Sequence, residues 1–260
     1  MSHSISETDV VVEPQTTGVE LAGVVRVLGG RRVLDDLHLH VPRHGRLGIV
    51  GRSGVGKSTL LSLVAGLDEP DAGTVNVGGA TSAAARLERC ALMPQRDCLL
   101  PWRSALDNAC LPLENRGLPR AEARRLAAPL FARLGLAEAE PLRPARLSSG
   151  MRQRVAFLRT LLADKETLLL DEPFGALDAI TRIELQEWLA TALAGEPRTV
   201  LLVTHDVEEA LLLCDRVVVL AHGRVALELD ADLPREAPRR ELVTMPAFLE
   251  LREQALEAIT

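Results

Sequence analysis

The stretch Arg46-Leu-Gly-Ile-Val-Gly-Arg-Ser-Gly-Val-Gly-Lys-Ser58 decides the fold of this chain. It begins as a short apolar run typical of a buried strand, turns through a glycine-rich loop and continues into an apolar helical pattern up to Gly66. A strand, loop and helix with the pattern G-x-x-x-x-G-K-S indicate a loop whose backbone N–H groups wrap phosphates. The predicted nucleotide contacts are Gly51, Arg52, Ser53, Gly54, Val55, Gly56, Lys57, Ser58 and Thr59.

A second apolar run, residues 167–170, ends in two carboxylates, Asp171 and Glu172. Such a pair is otherwise a common helix cap or solvated turn. In a chain with a phosphate loop, Asp171 is expected to lie beside a Mg²⁺ ion held with Ser58, while Glu172 polarises a water molecule. Lys57 is expected to reach the β- and γ-phosphates. The two motifs together predict hydrolysis of a nucleoside triphosphate.

Strand and helix patterns alternate outward from these motifs and predict an α/β fold, with a mostly parallel sheet covered by helices on both faces. Between about residues 97 and 163, strand patterns disappear and helical spacing takes over, which predicts an inserted helical subdomain. We expect a disordered leader over 1–18, the main domain over 19–245 and a C-terminal helix over 246–260.

Composition excludes several classes of protein. The net charge of −6 at pH 7 gives no indication of a nucleic-acid-binding surface. No apolar run reaches the ~20 residues needed to span a bilayer. The cysteines lack zinc-like spacing and are interpreted as free thiols in a reducing compartment. His38 and His40 alternate with apolar residues, which indicates the solvated face of a strand.

The segment Leu147-Ser-Ser-Gly150 opens a further predicted helix with hydroxyl-bearing and small residues. Unpaired N–H groups and the helix dipole make such a start a good anion site. Since the chain already has one phosphate loop, the residues alone do not explain the use of a second anion site.

From about Val19 onward, the sequence resembles the ATP-binding subunits of ABC transporters. The resemblance implies an ABC-type P-loop ATPase core, with an N-terminal antiparallel β part and the helical subdomain, that binds ATP and Mg²⁺. The motifs that carry it are, in order, the phosphate loop, Gln95 after a strand, Leu147-Ser-Ser-Gly150, Leu168-Leu-Leu-Asp171-Glu172-Pro, Ala176-Leu-Asp178 and Val203-Thr-His205-Asp206.

The resemblance also implies a role for each motif residue. Gln95 would sense Mg²⁺ and the attacking water, and Glu172 would be the general base. His205 would hold the γ-phosphate and orient the water, and Asp178 would communicate across a dimer. The implied Mg²⁺ contacts are Ser58, Gln95 and Asp171.

In this family two copies dock head to tail, so Ser148, Ser149 and Gly150 would face ATP held by the partner in a homodimer. Ser149 stands where the family has glycine. If that position needs a positive φ or a close approach to phosphate, the Cβ costs about 1 kcal/mol and turnover is expected to be slower. Leu28 stands where the family stacks an aromatic residue on adenine, which predicts apolar packing and comparable affinity for ATP and GTP.

The segment Leu100-Pro-Trp102-Arg, with Met151-Arg-Gln-Arg-Val155, is similar to importer ATPases of the nitrate, sulfonate and taurine group. This implies a peripheral motor on the cytoplasmic face of the inner membrane, coupled to a transmembrane permease and indirectly to a solute-binding protein. Trp102 would either anchor a permease helix or pack inside the helical subdomain. The alternative function is a soluble ABC-type ATPase acting as a scaffold or assembly factor. The transported solute is left open.

Overall fold

A computed structural model describes residues 17–175, 177–194, 197–234 and 237–259 of the chain. The strands are β1 (Thr17–Leu28), β2 (Arg31–Pro42), β3 (Arg46–Val50), β4 (Ala72–Val77), β5 (Cys90–Met93), β6 (Thr167–Asp171), β7 (Thr199–Thr204), β8 (Arg216–Ala221) and β9 (Arg224–Asp230). The α-helices are α1 (Lys57–Val64), α2 (Ala83–Arg89), α3 (Ala105–Asn115), α4 (Arg120–Arg133), α5 (Ser149–Leu162), α6 (Ala179–Ala194), α7 (Val207–Leu213), α8 (Arg239–Leu242) and α9 (Pro246–Ile259).

The main sheet has the strand order β5-β6-β7-β3-β8-β9. All neighbours are parallel except β9, which runs antiparallel to β8. Every side chain of β6 and β7 is buried, as expected for strands covered on both faces. Because β3, β6 and β7 run parallel, their carboxyl ends meet at one edge of the sheet. This brings together the phosphate loop, the acidic pair and the segment with His205.

A separate antiparallel sheet has the order β2-β1-β4 and shares a core with β3 of the main sheet. Along β2, Leu37 and Leu39 are buried while His38 and His40 are exposed, which confirms the interpretation of a solvated strand face. Most of the expected leader, residues 1–16, lies outside the described residues. Thr17 and Gly18, at the expected end of the leader, are buried residues of β1, and Thr17 pairs with Pro42 of β2.

Helices α3, α4 and α5 form the expected helical subdomain, and Phe131 and Phe157 are fully buried in its core. The C-terminal helix α9 packs Phe248 and Ala255 into a core shared with α7 and β8. None of the helices among the described residues has the length and apolar character of a bilayer span.

Asp107 of α3 fixes α4 through two arginines. Its side chain is 4% exposed, and both Arg120 and Arg124 form bidentate hydrogen bonds with its carboxylate at 2.5–3.1 Å. Burial by itself raises the pKa of this carboxyl, but the hydrogen bonds from Arg120 and Arg124 outweigh burial and lower the pKa to about 2.

We expect Asp107→Asn to be destabilised at neutral pH by about 2 kcal/mol. The native pKa lies below the unfolded value of 3.8, so the contribution is present above that value and is lost as pH falls toward 2. Urea unfolding of wild type and variant at pH 7, 4 and 2.5 checks this. A gap between the two proteins that does not shrink at acid pH would contradict the role of the charge.

Candidate nucleotide site

The phosphate loop links β3 to α1 through a backbone that only glycine adopts easily. Gly54 has φ 79° and Gly56, which precedes α1, has φ 112°. A Cβ on Gly56 would lie 2.9 Å from the Val33 carbonyl oxygen. No side chain among the described residues caps the start of α1. The N–H groups at this helix start are suited to an anion, and the predicted phosphate contacts of the loop stay a prediction.

Lys57 is buried and extends back across the loop. Its Nζ donates hydrogen bonds to the carbonyl oxygens of Gly51 at 2.7 Å and Arg52 at 3.1 Å. Burial lowers the pKa of Lys57, while the nearby carboxylates of Glu172 and Asp171 raise it. The ammonium group is thus held at the centre of the loop, near the acidic pair.

Asp171 ends β6 with a buried carboxyl group. Burial raises its pKa, while a hydrogen bond from the Ser58 hydroxyl and the charge of Lys57 lower it. Its Oδ1 atom is buried without a hydrogen-bond partner among the described residues. Mg²⁺ takes oxygen ligands and is usually held by one or two carboxylates together with phosphate oxygens. Ser58 and the unpaired oxygen of Asp171 fit such an ion.

Glu172 and His205 contact each other at the carboxyl ends of β6 and β7. The Nδ1 atom of His205 lies 2.7 Å from Oε2 of Glu172. Since an ionised carboxylate only accepts, Nδ1 carries the proton of this bond and the opposite ring nitrogen faces away from Glu172. The structure therefore brings the predicted base and the predicted phosphate-holding histidine into one pair.

Glu172 also has an unusual backbone. Its φ is 50°, a left-handed conformation that costs a non-glycine residue about 1–2 kcal/mol. A hydrogen bond from its N–H to the Val203 carbonyl at 2.9 Å helps to hold it there. Strain of this kind is concentrated at functional sites, where the surrounding structure keeps a side chain in a required direction.

The second predicted anion site forms the exposed start of α5. Ser148 is the N-cap, and its hydroxyl oxygen accepts a hydrogen bond from the Met151 N–H at 3.1 Å. Ser149 is the first helical residue and its φ is not positive, so the penalty expected for a left-handed backbone does not arise. Gly150 approaches Leu177, because an added Cβ would lie 3.3 Å from that side chain.

Comparison with known proteins assigns the family. A family model described as "ABC transporter" matches residues 34–175. The chain belongs to the ABC transporter family. This confirms the resemblance and the fold class, and it makes the chain an ATP-hydrolysing, ATP-binding subunit.

Relatives and solved structures agree with this assignment. The chain is 48% identical to "Aliphatic sulfonates import ATP-binding protein SsuB 2" of Pseudomonas aeruginosa, over 85% of this chain and 79% of the relative. It is 44% identical to SsuB of Ralstonia nicotianae, over 95% and 84%. A dimeric post-hydrolysis structure of the ATP-binding cassette MJ0796, bound to ADP and Pi, matches with a TM-score of 0.76 and 28% identity, over 82% of this chain and 98% of that chain.

In this ABC subunit, α5 ties the exposed anion site to two other loops. Arg152 pairs with Asp97 at 3.0 Å, on the loop after Gln95. Gln153 is buried, and its amide donates to the carbonyl oxygen of Pro173, the residue after Glu172, at 3.1 Å. We did not predict these connections. The polar run Arg152-Gln-Arg154 near the start of α5 indicates polar contacts at this end of the helix, but it does not identify their partners.

The remaining predicted site residues lie around this centre. Gln95 is exposed on the loop after β5, and its contact with Mg²⁺ and water stays a prediction. Leu28 ends β1 and is 43% exposed. Asp178 accepts a hydrogen bond from the Thr181 N–H at 3.0 Å and so caps α6. Base contact by Leu28 and cross-dimer contact by Asp178 stay predictions.

Trp102 does not pack inside the helical subdomain, because its side chain is 67% exposed. The loop that carries Trp102 is hydrogen-bonded to Asn108 of α3, which is fully buried. The Asn108 side chain accepts from the Leu100 N–H at 2.7 Å and donates to the carbonyl oxygens of Leu100, Arg103 and Ser104. A large aromatic side chain is thus presented to solvent on a fixed loop near Gln95.

Proposed function

We propose that this ATPase is the motor subunit of an importer for a small sulfonate or related polar solute. It works as a homodimer that binds two molecules of Mg²⁺-ATP. The dimer is peripheral to the cytoplasmic face of the inner membrane and drives a separate permease, to which a solute-binding protein delivers the solute. The names of the relatives in Pseudomonas aeruginosa and Ralstonia nicotianae support the sulfonate class. The dimeric structures of similar cassettes support two copies.

The chemistry follows from the pair at the sheet edge. Glu172 accepts the proton of the attacking water, and His205 donates from Nδ1 to the Glu172 carboxylate. The other ring nitrogen donates to a phosphate oxygen when the ring carries a second proton there. Lys57 and the N–H groups of the loop neutralise charge on the transferred phosphoryl group. When bound, Mg²⁺ supplies further neutralisation, and Ser58 and Asp171, with Gln95, would hold it.

The exposed Trp102 carries the importer proposal. Its side chain is 67% exposed, so a partner that covers it would remove a large apolar surface from water and stabilise the complex. A permease helix that packs on this loop would cover the ring, and such aromatic anchors dominate the energy of an interface. The loop also follows Gln95 directly, so contact there can reach the nucleotide site.

We expect Trp102→Ala to lose the permease while it keeps its intrinsic ATPase activity. Loss of a hot-spot aromatic weakens binding by about 2 kcal/mol, or roughly 30-fold. Tagged wild type and variant are purified from detergent-solubilised membranes, and co-purifying chains are quantified by mass spectrometry. Leu87→Ala, which changes another half-exposed apolar residue on α2, is the matched control.

A stoichiometric multi-spanning partner with wild type and Leu87→Ala, but not with Trp102→Ala, supports the importer. Recovery of wild type from the soluble fraction alone would favour the scaffold alternative. Uptake of a labelled aliphatic sulfonate, with nitrate in parallel, then tests the solute class. Uptake of nitrate alone would overturn the sulfonate assignment.

A further inference from the structure

Glu209 of α7 is a buried carboxylate for which the hydrolysis of ATP has no evident use. Its side chain is 6% exposed and accepts two hydrogen bonds, from the Thr204 hydroxyl at 2.6 Å and the Gln186 amide at 3.2 Å. Burial raises the pKa of Glu209, and the bond from Thr204 opposes this. An acidic group in such a place is retained against a desolvation penalty, so its contacts deserve a functional explanation.

The first of these contacts leads to His205. Thr204 is fully buried at the end of β7, and its hydroxyl oxygen accepts a hydrogen bond from the Asp206 N–H at 3.1 Å. The hydroxyl hydrogen is then directed to Glu209. Thr204 and Asp206 are the two neighbours of His205 in the chain. Glu209 therefore fixes the backbone on both sides of the histidine that contacts Glu172.

The other side of Glu209 faces the helix that follows Asp178. Arg182 of α6 places Nε 3.8 Å from the Glu209 carboxylate, and its guanidinium also donates to the Leu177 carbonyl at 3.3 Å. Leu177 precedes Asp178 directly. Leu177 and Asp178, just before α6, are called the Asp178 loop below. A continuous set of polar contacts runs from this loop through Arg182, Glu209 and Thr204 to the backbone of His205.

This set of contacts has unused hydrogen-bonding capacity. Nε of Arg182 and Oε1 of Gln186 are both buried and have no hydrogen-bond partner among the described residues. A movement of α6 toward α7 by less than about 1 Å would turn the Arg182–Glu209 ion pair into a hydrogen bond. A shift of α6 would therefore change the contact that Glu209 makes on the side of Asp178.

We propose that Glu209 is a positioning residue that aligns His205 with Glu172 and couples this alignment to the Asp178 loop. The inference rests on the proposed roles of His205 and Glu172 in hydrolysis. In this proposal Glu209 acts only through Thr204 and Arg182.

The test compares three variants by kcat, KM for ATP and thermal unfolding. Glu209→Ala and Thr204→Val are each expected to lower kcat about tenfold with KM unchanged, because His205 loses its alignment and the phosphate loop is intact. Glu209→Gln is expected to stay within about threefold of wild type, because its amide oxygen still accepts from Thr204 and its NH₂ group can donate to Oε1 of a rotated Gln186.

Two further measurements separate positioning from simple destabilisation. The double variant Thr204→Val/Glu209→Ala is expected to be no slower than either single variant, since both changes remove the same contact. Glu208→Gln is the matched control: this neighbouring glutamate faces Arg252 of α9 and its change should leave kcat unchanged.

Equal loss of kcat in Glu209→Gln and Glu209→Ala would overturn the proposal, as would additive losses in the double variant. If Glu209→Ala does not fold, Thr204→Val decides the matter, and wild-type turnover in that variant contradicts the inference. His205→Ala is measured in parallel. Wild-type turnover in His205→Ala would remove the proposed function of that residue, whereas a large loss there with none in the Glu209 variants would remove only the present proposal.

Discussion

Replacement of Glu172 by glutamine is expected to lower ATP turnover by about 10²–10⁴-fold, the usual contribution of a general base. Glutamine keeps the size of the side chain, and its amide oxygen can still accept a hydrogen bond from Nδ1 of His205, 2.7 Å away in the wild type. An amide cannot take a proton from water. The variant should therefore bind ATP and pair with a second copy, but it should hydrolyse very slowly.

Phosphate release under saturating Mg²⁺-ATP measures the turnover, and size-exclusion chromatography with ATP measures dimer formation. Glu253→Gln makes the same chemical change on the exposed part of α9 and is expected to behave as wild type. Turnover in Glu172→Gln close to that of wild type would remove Glu172 from the role of base. Loss of ATP binding would instead point to a structural role for its left-handed backbone.

The parts of the site that lie within one short stretch could be predicted from the sequence. The phosphate loop, the acidic pair and the start of α5 each combine an apolar periodicity with a few residues of special chemistry, so local physics determines them. The meeting of the phosphate loop and the acidic pair at one edge also follows, because parallel strands that alternate with helices place their carboxyl ends together. His205 lies at the same edge, since it directly follows the apolar run of β7.

What could not be predicted depends on contacts between distant positions. The pair of Arg152 with Asp97 joins residues far apart in sequence, and neither residue type alone indicates a partner. The exposure of Trp102 depends on Asn108, whose burial beneath the loop is set by packing of the whole subdomain. The left-handed backbone of Glu172 was also missed, because glutamate gives no local sign of such a conformation.

We expect each ATP site to be shared between two copies of the chain, so that substitutions on its two halves have large effects on ATPase activity. Ser148 and Gly150 are exposed or half-exposed at the start of α5, and Lys57 lies in a different part of the chain, beside Asp171 and Glu172. A homodimer with two-fold symmetry would place each α5 against the nucleotide of the other copy. Lys57→Ala and Ser148→Asp would then each disable both sites of their own homodimer. Aspartate is chosen because it still caps α5 but brings a negative charge toward the phosphates.

An equimolar mixture of Lys57→Ala and Ser148→Asp is expected to recover up to about one quarter of wild-type ATPase activity. With random pairing, about half of the dimers are mixed. In a mixed dimer both substitutions fall in one of the two sites, so the other site is intact. A mixture of Lys57→Ala with Glu172→Gln is the matched control, because both changes fall on the same half of the site and leave every mixed dimer without an intact one. Recovery of ATPase activity in the first mixture but not in the control would mean that α5 of one copy acts on the nucleotide of the other copy. No recovery in either mixture would mean that α5 serves the nucleotide of its own chain, and the second anion site would then need a different explanation.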